Sequence, residues 1–432
     1  MRSVTGDLYR CTPEASLGTA PGRGPPALTR PGASAAPLTL HAGRILYLAL
    51  ADARGHLMRA FLLQRALGAA GIAVEIVTTA RSGVRFLEGL GTTARLLSEH
   101  FRVEFGDRHD MSRARTDRRV LNYFLLPWRA AADLHRLARW ASDADLVVND
   151  SLHPALLVAP ALGFPRPVVQ LYGENLWRAM EDNLDHRAPA WVVDGYRQGL
   201  HAVRARAFAR IIHTLGSTEP DAGLPRTFRL VPLVARPERT AAQVRAELRV
   251  PPGGRLAAVY LNPHFRHPSI VDAVEEGLRR GGYRFHAVGE GYAGRPGWVA
   301  TDARFGDVVH AADVFVSGAG MGALELARSA GTPMLVLLGD QPEQARNVAE
   351  LHRLAPDFAL RSVLVGDPDL ASAIDTITST VPPRTDTAPR GHDPATSDWV
   401  QVFQQLVHAA RARATGRALP AARRTALGPG VS

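Results

Sequence analysis

The stretch richest in chemistry runs HAADVFVSGAGMGALELARSAGTPMLVLLGDQPEQARNVAELHRL, from His310 to Leu354. An apolar strand ends at Ser317, and Gly318, Ala319, Gly320, Met321 and Gly322 follow as a helix opens. Small residues let the backbone approach a ligand closely, and a helix N-terminus offers free N–H groups at the positive end of its dipole. A diphosphate is the guest that suits this arrangement. Glu325, near the start of the helix, can accept hydrogen bonds from ribose hydroxyls. Asp340 and Gln341 follow the next strand, at the carboxyl end of a sheet, where open α/β folds bind ligands. A Gly-rich turn alone is equally a tight strand-to-helix connection with no ligand. Glu325 and Asp340-Gln341 add separate partners for phosphate, ribose and sugar.

A second group lies half a chain earlier. Arg54-Gly55-His56 follows the first strand and opens a helix. Histidine titrates near neutrality, so His56 can take a proton from an acceptor hydroxyl. Asp150 ends the strand ADLVVND at the same carboxyl edge, where it can orient the imidazole as the acid does in hydrolytic triads. Both residues have plainer readings: His56 as a helix cap or phosphate contact, Asp150 as the N-cap of a helix that Pro154 begins. His153 and His213, also near strand ends, are read as structural or acceptor-site residues. Glu174, Asn175 and Trp177, after the strand PVVQLYG, are candidates to line an acceptor cleft.

The elements that must position these groups alternate along the chain. RILYLALA predicts a buried strand that breaks at Asp52-Ala53-Arg54-Gly55. A helix follows with Met58, Phe61, Leu62, Ala66 and Ala69 on one face; Gly71 closes it, and IAVEIVTT is the next strand. Strand–helix–strand units with short connections are the signature of a parallel sheet. ARIIHTLG (Ala209–Gly216) and FRLVPLV (Phe228–Val234) read as the last strands of a first domain. After Arg236 and Pro237 the alternation resumes with RLAAVYLNP, a helix Ser269–Arg280, YRFHAVGEG, ADVFVSGAG, a helix Gly322–Ala330 and PMLVLLGD. The polar stretch Thr380–Ser397 reads as a loop or linker ahead of an amphipathic helix, Trp399–Ala414. Residues 1–40 are rich in Pro, Gly, Ala and Ser and read as a disordered tail.

Length and composition bound the function. At 432 residues, two domains are expected. The single cysteine, Cys11, excludes an internal disulfide and is a poor zinc ligand or nucleophile. All 51 Lys+Arg residues are arginine. Without lysine there is no Schiff-base chemistry and no P-loop phosphate contact, because an arginine is not deprotonated in a protein. Of the net charge of +10, residues 1–40 carry +2 and residues 409–432 carry +5, so the middle holds an ordinary +3. The basic tails can touch anionic lipid or nucleic acid, but a solvated tail is the preferred reading and no nucleic-acid partner is expected. No apolar run approaches the ~20 residues of a membrane-spanning helix, and the first residues lack the apolar core of a secretory signal, so a cytoplasmic location is expected.

The His310–Leu354 stretch resembles the donor-binding motif of family 1 glycosyltransferases, which include plant secondary-metabolite and macrolide enzymes. It is also similar to the lipid-linked N-acetylglucosaminyltransferase of peptidoglycan synthesis. The family pattern is roughly H-G-G-x-G-T-x-x-E, a small-residue G-x-P turn, then D-Q. Here Ser317 to Gly322 occupy the glycine loop, Glu325 the acidic position, Gly331-Thr332-Pro333 the turn and Asp340-Gln341 the final pair. Arg54-Gly55-His56 is similar to the family's G-H-x-x-P, with Arg59 where proline is common.

The resemblance implies an α/β fold of the GT-B type, two Rossmann-like domains whose parallel sheets face across a cleft. It implies an acceptor domain over 41–235, a donor domain over 236–415 whose last helix, 399–414, crosses back, and a basic tail over 416–432. It implies donor contacts at Gly55, Asn262, Ser317, Gly318, Ala319, Gly320, Met321, Gly322, Glu325, Asp340 and Gln341, with His56 as base and Asp150 as its partner. The implied activity is inverting, metal-independent transfer of a sugar from a nucleoside-diphosphate sugar to a small acceptor, such as a natural product. No cofactor is implied beyond the nucleotide sugar as co-substrate. Ser317 replaces the family's phosphate-binding histidine, Thr301–Phe305 stands near the place of the W-x-P-Q that stacks on uracil, and Asn262-Pro263 replaces a G-S pair. The base of the nucleotide is therefore left open. A sugar-nucleotide 2-epimerase of the same fold, a non-catalytic glycosyltransferase-like partner protein and a membrane-peripheral enzyme with a lipid-linked acceptor remain as alternatives.

Overall fold

A computed structural model describes residues 43–52, 54–101, 115, 118–119, 122–123, 125–150, 152–182, 189–216, 225–265, 267–339, 341–381 and 394–416. All of them belong to the unit His41–Ser432. The expectations for residues 1–40, Cys11, Asp340, the basic tail beyond residue 416 and most of Thr380–Ser397 fall outside the described residues.

The first sheet contains, among the described residues, β1 (Gly43–Ala49), β2 (Ile72–Thr78), β3 (Ala94–Leu96), β4 (Leu146–Asp150), β5 (Val168–Gly173), β6 (Ala209–His213) and β7 (Thr227–Leu230). They pair in parallel in the order β3-β2-β1-β4-β5-β6-β7. The connecting helices are α1 (Arg54–Ala69), α2 (Arg81–Gly89), α3 (Pro127–Trp140), α4 (Pro154–Val158), α5 (Glu174–Glu181) and α6 (Ala190–Arg206). The central strands are apolar and buried on both faces, which is why they read as continuous hydrophobic runs rather than alternating ones.

The second sheet has the order β10-β9-β8-β11-β12-β13, again parallel. Its strands are β8 (Arg255–Tyr260), β9 (Tyr283–Val288), β10 (Trp298–Val299), β11 (Val314–Gly318), β12 (Met334–Leu338) and β13 (Leu360–Leu364). The helices here are α7 (Ala241–Glu247), α8 (Pro268–Arg280), α9 (Phe305–Ala311), α10 (Met321–Ala330), α11 (Pro342–Leu354) and α12 (Leu370–Ser379). The last helix, α13 (Pro394–Ala414), packs Trp399, Phe403, Leu406 and Val407 into the core of the first sheet, and Arg411 pairs with Asp145.

Three local expectations are corrected. The strands at Ala209 and Thr227 stop at His213 and Leu230, short of Gly216 and Val234. The final helix begins at Pro394, inside the stretch expected to be loop. On α1 the buried residues include Leu57, Ala60, Phe61, Leu63 and Leu67, while Met58 and Leu62 are only partly buried and Ala69 is exposed. The helix is covered by the sheet, α2 and α13 together, so its buried surface is too broad for a single stripe to mark.

Each sheet reverses its strand order once in the middle, between β1 and β4 in the first and between β8 and β11 in the second. Such switch points open a crevice at the carboxyl ends of the strands. The two halves are tied on both sides of these crevices. Arg54, 2 % exposed, forks onto Glu290 beyond β9 and lies over the Phe86 ring at 5.3 Å. On the other side Asn175 of α5 donates to Asn347 Oδ1 at 2.8 Å and Glu350 Oε2 at 2.7 Å, both on α11.

Trp399 is fully buried, and its Nε1 donates to the Val231 carbonyl at 2.8 Å. Trp399→Ala is expected to cost about 3–5 kcal/mol of stability, read as a lower denaturant midpoint.

Candidate active site

Both groups singled out in the sequence stand at switch points. Asp150 is the last residue of β4, opposite Ala49 of β1, and is fully buried. The loop after it is clamped: Asn149 Oδ1 accepts from His153 N at 2.8 Å, and Asn149 Nδ2 donates to the His153 carbonyl at 3.1 Å. Leu152 takes φ 64°, a left-handed conformation that a leucine adopts only when its surroundings impose it.

His56 lies in the first turn of α1, and Arg54 ties that turn to the loop after β1 through the Ala51 carbonyl. The His56 side chain is 17 % exposed, and its Nδ1 stands 3.1 Å from Asp150 Oδ1. The Asp150 carboxylate has two further partners that the sequence did not predict. Tyr47 Oη donates to Oδ2 at 2.7 Å. Arg59, one turn after His56 on the same helix face, donates Nε to Oδ2 at 2.9 Å and Nη2 to Oδ1 at 2.7 Å. The same Nη2 lies 2.8 Å from His56 Nδ1.

Burial alone would raise the Asp150 carboxyl; Arg59 and then His56 outweigh it and hold it well below the usual carboxylate range. Burial, followed by the Asp150 charge, pushes the Tyr47 phenol well up.

The neighbouring histidines separate in role. His153 Nδ1 accepts from Ala155 N at 3.3 Å, so the cap of α4 is His153 and not Asp150. Burial pushes His153 down to about 3, which keeps it neutral. His213, 6 % exposed, pairs with Gly173 across β5 and β6, and a Cβ at Gly173 would meet both its ring at 3.0 Å and Met321 Sδ at 3.1 Å. Neither of its ring nitrogens has a hydrogen-bond partner among the described residues, and burial, then Arg59, push it well below the usual histidine range.

On the second sheet, Ser317 is buried as the penultimate residue of β11, and the Ala319 carbonyl accepts from Asn347 Nδ2 at 2.9 Å. The glycine loop is thus tethered through Asn347 to Asn175 of the first half. Its glycines differ. A Cβ at Gly318 would stand 2.7 Å from the Phe265 ring, whereas Gly320 and Gly322 face open space at the start of α10. Gly55, on the first half, also faces open space. Met321 is buried and lies against Gly173. Glu325 is buried, and its Oε2 accepts from Arg328 Nε at 2.9 Å and Nη2 at 2.6 Å. Asn262 caps the turn after β8 by accepting from His264 N at 2.9 Å. Gln341 accepts from Gln344 Nε2, while Gln344 Oε1 is buried beside Gly318 with no partner among the described residues. On the first turn of α11, burial raises the Glu343 carboxyl and the His56 charge opposes that shift. Sequence reasoning missed Glu343 and Gln344; their only signal was the Asp340-Gln341 pair just before them.

The three acceptor candidates part company. Glu174 and Asn175 line a cavity of about 700 Å³ between α5 and α11, walled by Arg178, Arg229, Arg346 and Glu350 among others. Glu174 is held by Arg178 at 2.9 Å and Arg229 at 2.7 Å. Trp177 is not on that wall: it packs in an apolar cluster with Leu152, Tyr172 and Ile212.

No protein-family model matches the chain, and no curated protein matches it. Solved structures do. A spinosyn forosaminyltransferase, SpnP, aligns with TM-score 0.50 at 16 % identity, covering 85 % of this chain and 100 % of that one. LpCGTa, solved in complex with UDP, aligns with TM-score 0.50 at 16 % identity, covering 86 % of this chain and 95 % of that one. At these identities the likeness establishes the fold. The chain has the GT-B fold, two Rossmann-like domains built on parallel sheets.

Asp150→Asn strands the buried Arg59 charge and is expected to cost about 3–5 kcal/mol at neutral pH. Because the native carboxyl is depressed, the wild-type advantage is complete above the unfolded value of about 3.9 and fades as pH falls below it. In urea melts from pH 7 to 3 the gap between the two proteins should therefore stay constant down to about pH 4 and then narrow by about 1 kcal/mol at pH 3.

Proposed function

We propose that the protein is a glycosyltransferase that moves a sugar from a nucleoside-diphosphate sugar to a hydroxyl or similar nucleophile of a small acceptor of the natural-product kind. The observation that carries the reading is the contact of His56 with buried Asp150 at one switch point, together with an open glycine loop and helix N-terminus at the other. The two solved structures with this fold fit it: one is a spinosyn forosaminyltransferase and the other was solved with UDP.

In this reading the first half takes the acceptor and the second takes the donor. The N–H groups at the start of α10 and the helix dipole hold the diphosphate and stabilise its charge as it leaves, so the step asks for no metal. Ser317 adds a hydroxyl, Glu325 serves the ribose, and Gln341 with Asp340 serves the sugar hydroxyls. Gln344 joins this set through its buried Oε1 beside Gly318, which has no partner among the described residues. Gly55 and Asn262 border the donor from the two sides. His56 Nε2 takes the acceptor proton, the acceptor oxygen bonds to the anomeric carbon, and the carbon–phosphate-oxygen bond breaks on the opposite face, inverting the centre. Asp150 supports the imidazolium. Glu174 and Asn175 supply polar wall on the acceptor side, and Trp177 fixes their helix, α5, by packing against Leu152, Tyr172 and Ile212. Among the described residues no helix is long and apolar enough to cross a membrane.

His56→Ala is expected to lower transfer to an alcohol acceptor by roughly 10²–10⁴-fold with donor binding intact. An assay with and without acceptor separates the readings: donor converted equally well without acceptor would mean an epimerase. Gly320 has φ −67°, a conformation open to any residue, and its Cβ would enter empty space. Gly320→Val should therefore leave the melting temperature unchanged yet weaken nucleoside-diphosphate binding by at least about tenfold, or about 1.4 kcal/mol, by calorimetry.

A further inference from the structure

The two partners at His56 Nδ1 require opposite tautomers. Asp150 Oδ1, at 3.1 Å, is an acceptor and needs a hydrogen on Nδ1, which leaves the Nε2 lone pair free to take a proton. Arg59 Nη2, at 2.8 Å, is only a donor and needs the lone pair on Nδ1, which puts the hydrogen on Nε2. One Nη2 carries two hydrogens, enough for Asp150 Oδ1 at 2.7 Å and His56 Nδ1 together. The carboxylate is already served without the imidazole, by the Arg59 fork and by Tyr47 Oη at 2.7 Å. Two other ionisable side chains feel the charge of this cluster, His213 of β6 and Glu343 of α11, and neither hydrogen-bonds to Arg59 among the described residues.

Resting on the glycosyl-transfer reading above, we propose that Arg59 is a positioning residue that holds His56 in the Nε2–H tautomer and so selects acceptors with acidic hydroxyls, phenols and enols, over aliphatic alcohols. An alcohol must give up its proton within the site, so the proton on Nε2 has first to pass to water while Nδ1 takes one from water, giving up its Arg59 contact and sharing that hydrogen with Asp150. That exchange adds to the barrier for every acceptor that needs a base. A phenol that arrives as its phenolate needs none: its oxygen pair forms the bond to the anomeric carbon, the bond to the diphosphate oxygen breaks, and the nucleoside diphosphate leaves with that pair. Nε2–H then donates to the phenolate oxygen and orients it.

Protein labelled with ¹⁵N in histidine, with His56→Gln used to assign the signal, reports the tautomer directly by long-range nitrogen–proton correlation. Wild type is expected to hold the proton on Nε2, and a resting proton on Nδ1 overturns the proposal whatever the variants do. In Arg59→Met the proton is expected to move to Nδ1, with turnover of an alcohol relative to a matched phenol rising at least tenfold. An unchanged ratio in a folded, donor-binding variant also overturns it. For wild type, the pH at which transfer to substituted phenols levels off should follow each phenol's own acidity; a limb fixed across the series counts against Arg59. Failure to transfer to either acceptor class, with the donor bound, would instead remove the glycosyltransferase reading itself.

Discussion

A carboxylate with no exposed surface must be paired where it stands, because an unpaired charge inside a protein costs several kcal/mol. Asp150 is such a group, and its partners come from β1 and from the first turns of α1. Satisfying this one charge fixes the elements on both sides of the first switch point. Tyr47 anchors the floor of the sheet, Arg59 anchors the helix, and His56 is carried to the mouth of the crevice. The left-handed Leu152 and the Asn149 clamp belong to the same constraint, since they turn the chain sharply after β4 without disturbing the carboxylate.

The second half is arranged around backbone rather than charge. Gly318 is required because Phe265 occupies the space a side chain would need, whereas Gly320 and Gly322 open the helix start to whatever binds there. The tether from Asn175 through Asn347 to the Ala319 carbonyl makes the position of the loop depend on the first half. Arg54 and Glu290 make a second tie on the opposite side, directly before His56. The residues expected to act on donor and acceptor are therefore held by contacts that span the two sheets. Asn175, first read as an acceptor contact, forms one of those ties.

Much of the fold was legible because parallel sheets write themselves locally. Buried strands such as Leu146–Asp150 and Met334–Leu338 are short apolar runs, and glycines at Gly71 and Gly331 take the positive φ that ends a helix. The His56 and Asp150 positions were legible for the same reason, since both follow strands whose carboxyl ends are visible in the pattern. What escaped was side-chain partnership. Arg59 looked like a departure from a proline position and proved to be the main counter-charge of Asp150. Trp177 looked like a cleft residue and instead packs from α5 against Leu152, Tyr172 and Ile212, and the buried face of α1 was too broad for a periodic stripe to reveal.

By itself the sequence determined the alternation of strand and helix, the two groups of candidate residues and their places at the ends of strands. These follow from propensity, periodicity and turn chemistry, which act over a few residues. The tertiary structure alone decided which groups meet. Arg59 and Asp150 are separated by 91 positions and Asn175 and Asn347 by 172. Such pairings are set by the burial of charge and the packing of whole sheets, and no local pattern in the chain encodes them.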